Sequence, residues 1–213
     1  MKKFIIFDVD GTLLDTEKMY MKSLQLTLAN HGIDKTYEEV YKIFGLPSKE
    51  ALEYFGIDDV EAMQAEWQSH YHDFWDEVAL FNGIKPMLTK LKQHDVHLAI
   101  VTSNTPAEFA DHIDGFGVID FFDAFVFAGE TRRMKPFPDP ILAAIEKLDA
   151  DADSAVYIGD SIHDMKAAHA AGIDFALASW SIPSLEPFND LQEFTLVDPA
   201  DVLDLLTDAS DDD

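Results

Sequence analysis

Four aspartates in two short motifs carry the clearest chemical signal in the sequence: Asp8, Asp10, Asp160 and Asp164. Asp8 directly follows the apolar run Lys3–Phe7, and Gly159-Asp160 follows the apolar run Ala155–Ile158. Carboxylates gathered at strand ends repel one another and lose hydration, which disfavours a purely structural role for the whole set. Mg²⁺ resolves such repulsion, because it prefers octahedral oxygen ligands and takes a few carboxylates together with substrate phosphate. We therefore predict a Mg²⁺ site formed by Asp8, Asp10 and either Asp160 or Asp164.

Phosphoryl transfer is the reaction that these residue types favour. It needs an in-line nucleophile, neutralisation of the phosphoryl oxygens and a proton donor for the leaving group. Asp8 can attack as a carboxylate nucleophile, and Asp10 is spaced to protonate the leaving group and later to deprotonate water. The predicted phosphate-binding groups are the Thr102 hydroxyl, the backbone N–H groups of Ser103 and Asn104, and the Lys135 ammonium. The expected substrate is a small phosphorylated metabolite.

A parallel sheet is the element that would bring these residues together. Five apolar runs predict buried strands: Lys3–Phe7, Val96–Val101, Ala124–Phe127, Ala155–Ile158 and Asp174–Leu177. Between them lie helical patterns at Ile84–His94, Pro106–Phe116, Pro140–Leu148 and Ile162–Ala171. The alternation predicts a doubly wound parallel α/β sheet. Since ligands bind beyond the carboxyl ends of such strands, the predicted site residues should meet at one rim.

The stretch from Asp15 to Gly83 interrupts this alternation. It holds no clear strand but several helical segments: Thr16–Asn30, Tyr37–Phe44, Lys49–Tyr54 and Val60–Val78. A helical block between the first and second strands predicts an inserted cap. We therefore predict an α/β catalytic core over 1–14 and 84–213, and a helical cap over 15–83.

Composition limits the partners of the chain. Its 15 basic and 41 acidic side chains give a net charge of −26, which argues against nucleic acid and against anionic membranes. The negative charge of the protein would repel an anionic substrate. A phosphate site must therefore be made locally positive by a metal ion and a few cations. The absence of cysteine excludes a disulfide framework. With no signal-peptide pattern and no apolar run long enough to span a bilayer, a cytoplasmic location is expected.

The motifs together resemble those of the haloacid dehalogenase superfamily. The resemblance rests on Asp8–Leu13, Thr102, Lys135-Pro136 and Gly159-Asp160-Ser161-x-x-Asp164, and it covers the whole chain. The subgroup resembled has a helical cap between the first motif and the second strand, like phosphoglycolate phosphatase and β-phosphoglucomutase. The resemblance implies a Rossmann-like core and a magnesium-dependent phosphatase that forms an aspartyl-phosphate on Asp8.

The same resemblance implies a role for each remaining motif residue. Asp10 is implied as the acid/base and as a metal ligand through its backbone carbonyl. Thr102 and Lys135 are implied as phosphate ligands. Asp160 is implied as a direct Mg²⁺ ligand, and Asp164 as a ligand through water or as an orienting group.

Two other functions stay open at this point. A phosphosugar mutase of the β-phosphoglucomutase type must hold a second phosphate, but the predicted cap contains no arginine. The segment Gly45–Leu52 also resembles the substrate loop of the phosphatase branch more than that of the mutase. A non-catalytic phosphate-binding protein would have no need of Asp10 as a proton carrier. Hydrolysis is therefore favoured, while the substrate and the oligomeric state stay open.

Overall fold

The computed structural model describes residues 1–44 and 48–207, and its chain divides into two compact units. One unit comprises Met1–Leu14 and Leu80–Asp213, and the other comprises Asp15–Ala79. The predicted division fell at residues 14 and 83. Residues 45–47 of the predicted substrate loop lie outside the described residues.

The first unit is built on a six-stranded parallel sheet in the order β5-β4-β1-β6-β7-β8. Its strands are β1 Phe4–Phe7, β4 His97–Val101, β5 Ala124–Val126, β6 Ala155–Gly159, β7 Asp174–Ala178 and β8 Phe194–Leu196. Two short strands, β2 Leu14–Asp15 and β3 Ala79–Leu80, form a separate sheet. The central strands are apolar along their length because both sheet faces are covered, as parallel sheets require. The structure confirms the predicted doubly wound α/β class.

Four helices connect the parallel strands: α5 Ile84–Leu91, α6 Pro106–Ile113, α7 Asp139–Leu148 and α8 Ile162–Ala171. The apolar faces of α7 and α8 pack on the sheet in one continuous core, which includes Tyr157, Phe175 and Ile141. A 3-10 helix, Pro199–Leu206, closes the described chain. No helix in residues 1–44 or 48–207 is both long and apolar enough to cross a membrane.

The second unit is helical. Its elements are α1 Glu17–Asn30, α2 Tyr37–Tyr41, α3 Ser48–Tyr54, α4 Val60–Ser69 and a 3-10 helix Tyr71–Glu77. The start of α2 is fixed by a capping box between Thr36 and Glu39. The unit has its own apolar core, in which the Trp67 indole donates to Ser23 Oγ at 2.9 Å.

Candidate active site

The predicted site residues of the first unit follow the carboxyl ends of neighbouring strands. Asp8 follows β1, Thr102 follows β4 and Asp160 follows β6. Strand β1 pairs with both β4 and β6, so these three ends are adjacent in the sheet. Lys135 lies in the loop between β5 and α7. The sheet order therefore brings the separate motifs to one rim.

Lys135 joins two of the predicted carboxylates. Its Nζ lies 3.0 Å from Asp8 Oδ1 and 2.6 Å from Asp164 Oδ1. The lysine side chain is only 6% exposed, and the Asp164 side chain is fully buried. An ion pair in such a place is stable only when its remaining polar atoms are also satisfied.

The first turn of α8 satisfies the other oxygen of Asp164. Ser161 caps this helix, and its backbone N–H and hydroxyl donate to Asp164 Oδ2 at 3.0 and 2.6 Å. The Tyr157 hydroxyl, which the sequence prediction did not include, lies 3.3 Å from Asp164 Oδ1 and 3.2 Å from Lys135 Nζ. The sequence does contain a signal for this residue. Tyr157 lies in an otherwise aliphatic strand, and a buried tyrosine hydroxyl needs a polar partner.

Asp10 is held by a residue from a different motif. The Asn104 side-chain amide donates to Asp10 Oδ2 at 3.0 Å. The Asn104 backbone N–H donates to Thr102 Oγ1 at 3.1 Å, whereas it was predicted to bind phosphate directly. Thr102 is fully buried and Ser103 is exposed. The segment 102–104 thus positions Asp10, and its phosphate-binding role stays a prediction.

Two glycines allow the carboxylates to approach the backbone. A Cβ atom on Gly11 would lie 2.2 Å from Asp160 Oδ2, and Gly11 has a φ of +73°. A Cβ atom on Gly159 would lie 2.7 Å from Cβ and Cγ of Asp164. Both distances are shorter than any van der Waals contact, so a larger residue at either position would displace an aspartate. The close packing of Asp160 and Asp164 against the backbone depends on these two glycines.

The electrostatics of the site are dominated by burial. Burial raises the pKa of Asp8 to about 7, and the charges of Asp164 and Asp10 add to this rise while Lys135 opposes it. Burial, followed by the charges of Asp164 and Asp8, raises the pKa of Asp160 well above its ordinary value. Burial alone would lower the pKa of Lys135, but the adjacent carboxylates of Asp164 and Asp8 hold that pKa well above its usual range. One lysine therefore does not neutralise the carboxylates around it.

Three of the carboxylates are arranged to share a divalent cation. Oxygen atoms of Asp8, Asp160 and Asp164 all lie within 4.8 Å of one another. With Lys135 beside them, three ionised carboxylates leave an excess of two negative charges. Hard oxygen ligands and this excess charge fit a divalent ion such as Mg²⁺ or Mn²⁺. The Asp10 carboxylate is not one of the three in this group, and its contact with the metal through the backbone carbonyl stays a prediction.

Comparison with known proteins supports the family resemblance. Residues 5–178 match the family model described as haloacid dehalogenase-like hydrolase. The chain is 30% identical over 181 residues to the pyrophosphatase PpaX of Bacillus velezensis, covering 84% of this chain and 83% of that protein. It is 25% identical to the pyrophosphatase PpaX of Halalkalibacterium halodurans, with 95% of both chains covered.

Solved structures show the same fold. A provisionally assigned phosphoglycolate phosphatase from Lactobacillus plantarum has a TM-score of 0.83 and 28% identity, covering 96% of this chain and all of that one. A provisionally assigned β-phosphoglucomutase from Thermotoga maritima has a TM-score of 0.78 and 25% identity, covering 97% and 98% of the two chains. These comparisons confirm the predicted class of enzyme, a phosphatase-type hydrolase. The chain belongs to the haloacid dehalogenase-like hydrolase family.

Proposed function

We propose that the chain is a Mg²⁺-dependent phosphatase of small phosphorylated metabolites that forms an aspartyl-phosphate on Asp8. The observation that carries this proposal is the contact of Asp8 with Lys135 at 3.0 Å, beside two further carboxylates. A lone lysine–aspartate pair would not need the extra acids, and a simple metal site would not need the lysine. Together they fit a centre that binds a phosphoryl group between positive charges and attacks it.

Asp8 is the proposed nucleophile. Attack of one carboxylate oxygen on phosphorus forms the acyl phosphate and breaks the bond to the leaving oxygen. Lys135 is placed to neutralise phosphoryl oxygens next to Asp8, and its charge opposes the rise in the pKa of that carboxyl. Water then attacks the phosphorus of the acyl phosphate, which releases inorganic phosphate and restores Asp8.

Asp10 is the proposed proton carrier. Its carboxyl would protonate the leaving oxygen in the first step and take a proton from water in the second. The hydrogen bond from the Asn104 amide to Asp10 Oδ2 fixes the position of the Asp10 carboxyl. This arrangement supports Asp10 in the role that the sequence predicts.

The residues that would hold Mg²⁺ are Asp8, Asp160 and Asp164, with the backbone carbonyl of Asp10. When bound, Mg²⁺ would stabilise negative charge on the transferred phosphoryl group. We propose the helical unit, 15–79, as the cap that selects the substrate. Relatives named as pyrophosphatase and phosphoglycolate phosphatase make these two compounds the first substrates to test.

Replacing Asp10 with asparagine should reduce kcat by about 10²–10⁴-fold, because the proton for the leaving group is lost. Asn104 can still hold the amide, so folding should be unaffected. A nitrophenolate leaving group needs no proton, and its release in a burst experiment should be much less impaired than that of an alkoxide. An equal loss for both leaving groups would contradict the assignment of Asp10.

Mg²⁺ binding should weaken as the pH falls through 7. The raised pKa of Asp8, about 7 in the metal-free protein, means that the folded protein carries a proton there at lower pH which Mg²⁺ must displace. Calorimetric titration at pH 8, 7 and 6 should therefore show a dissociation constant that rises toward about 10-fold per unit below pH 7. Titration in buffers of different ionisation enthalpy should show proton release at pH 6. An affinity that is independent of pH would contradict the shared carboxylate site.

A phosphatase and a phosphosugar mutase can be distinguished by the products that they form. With Mg²⁺ and a panel of phosphorylated metabolites, we expect inorganic phosphate to appear in proportion to the substrate consumed. The panel should include pyrophosphate, phosphoglycolate and sugar monophosphates primed with a bisphosphate. An isomerised sugar phosphate formed without free phosphate would establish the mutase instead. Binding of phosphate compounds with neither product would indicate a non-catalytic protein.

A further inference from the structure

Tyr157 is a buried titratable residue that the proposed mechanism leaves without a role. It lies in β6, and its side chain is fully buried. Its hydroxyl contacts groups of three other elements: Val101 O at the end of β4 at 3.3 Å, Lys135 Nζ at 3.2 Å and Asp164 Oδ1 in α8 at 3.3 Å. A phenylalanine would fill the same space in the core, so the hydroxyl is the part of Tyr157 whose contacts need an explanation.

The Lys135 ammonium is surrounded by as many acceptors as it has hydrogens. An ammonium carries three N–H donors and no acceptor. Its acceptors are Asp8 Oδ1 at 3.0 Å, Asp164 Oδ1 at 2.6 Å and Tyr157 Oη at 3.2 Å. Nζ also lies 5.7 Å from the centre of the Tyr157 ring, within the range of a cation–π attraction. Tyr157 Oη therefore accepts from Lys135, and its own hydrogen is shared between Val101 O and Asp164 Oδ1.

The three acceptors differ in what happens to them during the proposed reaction. Asp8 loses its carboxylate charge when it becomes an acyl phosphate, and Asp164 is one of the carboxylates proposed to hold Mg²⁺. Tyr157 does not change, because burial raises its pKa well above the usual range and keeps the phenol neutral. A lysine has a flexible stem, and a cation stabilises a transition state best when it is already in place. Tyr157 supplies the contact to Lys135 that persists through both steps.

We propose that Tyr157 is a positioning residue, whose hydroxyl holds the Lys135 ammonium against the transferred phosphoryl group. The inference rests on the proposed function, since its consequence for turnover is a loss of phosphoryl transfer. It adds to the site a residue that lies outside the four motifs. The phosphoryl group is common to all substrates, so loss of the hydroxyl should affect every leaving group alike.

Tyr157→Phe removes the hydroxyl and keeps the ring beside Lys135. We expect kcat to fall by about 10–100-fold, the range for loss of a hydrogen bond to a charged group, with KM changed by less than about threefold. The loss should be equal for p-nitrophenyl phosphate and for an alkyl phosphate that the enzyme hydrolyses, unlike the loss in Asp10→Asn. A kcat within about threefold of the wild type, or a loss for the alkyl phosphate alone, would overturn the inference.

The matched control is Ile141→Val, which removes one methyl group from another fully buried side chain of the same core. This variant should lose some stability but keep kcat within about threefold of the wild type. The melting temperatures of both variants would be measured alongside. A fall in kcat equal to that in Tyr157→Phe would show that loosening of the core is responsible, which would also overturn the inference.

A binding experiment distinguishes Lys135 from Asp164, the other site residue in contact with the hydroxyl. Orthovanadate, an analogue of the phosphoryl group, is titrated into the protein at saturating Mg²⁺, and Mg²⁺ is titrated alone. Tyr157→Phe should weaken orthovanadate binding by about 10–100-fold and Mg²⁺ binding by less than about threefold. An equal loss of Mg²⁺ affinity would show that Tyr157 acts through Asp164 instead of Lys135.

A double-mutant cycle tests the link to Lys135 without any need for turnover. In the Lys135→Met background at saturating Mg²⁺, Tyr157→Phe should weaken orthovanadate binding by less than about threefold, because the ammonium that it positions is already absent. A further loss as large as that in the wild type would contradict the inference. If the wild type binds orthovanadate but hydrolyses no phosphate compound, the proposed function is wrong, and this cycle decides the role of Tyr157.

Discussion

Replacing Asp8 with asparagine is expected to reduce kcat on the order of 10⁴–10⁶-fold, because an amide cannot attack phosphorus. The fold should survive this change. Burial already raises the pKa of Asp8 to about 7, so the site tolerates a neutral group of the same shape near neutral pH. The melting temperature of the metal-free variant should therefore equal or exceed that of the wild type.

The control for this experiment is Asp120→Asn, which removes one negative charge from an exposed residue. That variant should keep both the activity and the melting temperature of the wild type. Residual activity in Asp8→Asn within about tenfold of the wild type would rule out the covalent mechanism. A folded but inactive Asp8→Asn protein, together with an active Asp120→Asn protein, is the expected result.

Replacing Lys135 with methionine should have the largest effect on stability. It removes the ammonium that contacts Asp8 at 3.0 Å and Asp164 at 2.6 Å, in a place where Asp164 is fully buried. Breaking a buried ion pair by removing one partner destabilises a protein by about 3–5 kcal/mol. Denaturation in urea with EDTA should show this loss. Added Mg²⁺ should recover part of it, because the divalent ion compensates the same carboxylates.

The control for Lys135 is Lys147→Met, which breaks an exposed pair with Glu130 at 2.7 Å. Exposed pairs contribute about 0–1 kcal/mol, so this variant should remain close to the wild type. Lys135→Met should also abolish measurable turnover even when Mg²⁺ keeps it folded. A Lys135→Met protein as stable as the wild type in EDTA would show that Lys135 does not compensate the carboxylates.

The position of the site in the fold was predictable because it depends on patterns that are local in sequence. Apolar runs ending at Asp8, Thr102 and Asp160 identify the strands, and parallel strands place their carboxyl ends at one edge. Lys135 was predicted as a phosphate ligand because it is a cation in the segment between these motifs, and the family resemblance implied the same role. The structure confirms the fold class, and it shows Asp8, Thr102 and Asp160 at adjacent strand ends.

The contacts inside the site were not predictable from spacing alone. The Asn104 side chain donates a hydrogen bond to Asp10, which lies 94 positions earlier in the sequence. No local sequence pattern predicts that contact. Asp139, the first residue of α7, binds Arg133, and the N-cap of this helix is Pro138. An ion pair with a nearby arginine competes with a cap hydrogen bond, and the sequence does not show which one forms.

The sequence did not predict the ends of some helices and strands correctly, because tertiary packing there outweighs the local conformational preference of the residues. The predicted helix Val60–Val78 ends at Ser69 and continues as a 3-10 helix, Tyr71–Glu77, with a kink at Phe74. Strand β8, Phe194–Leu196, was not predicted, because three residues are too few to show an alternating pattern. It forms by pairing with β7, which no local signal specifies.

The most direct test of the central claim is to trap the phosphoryl group on Asp8. The wild-type enzyme would be quenched in acid during turnover of pyrophosphate or phosphoglycolate and then treated with borohydride, which reduces an acyl phosphate to an alcohol. Peptide mass spectrometry should find homoserine at position 8, only when substrate and Mg²⁺ were both present. Unmodified aspartate at position 8 under conditions of rapid turnover, or the reduced residue at another position, would contradict the proposed mechanism.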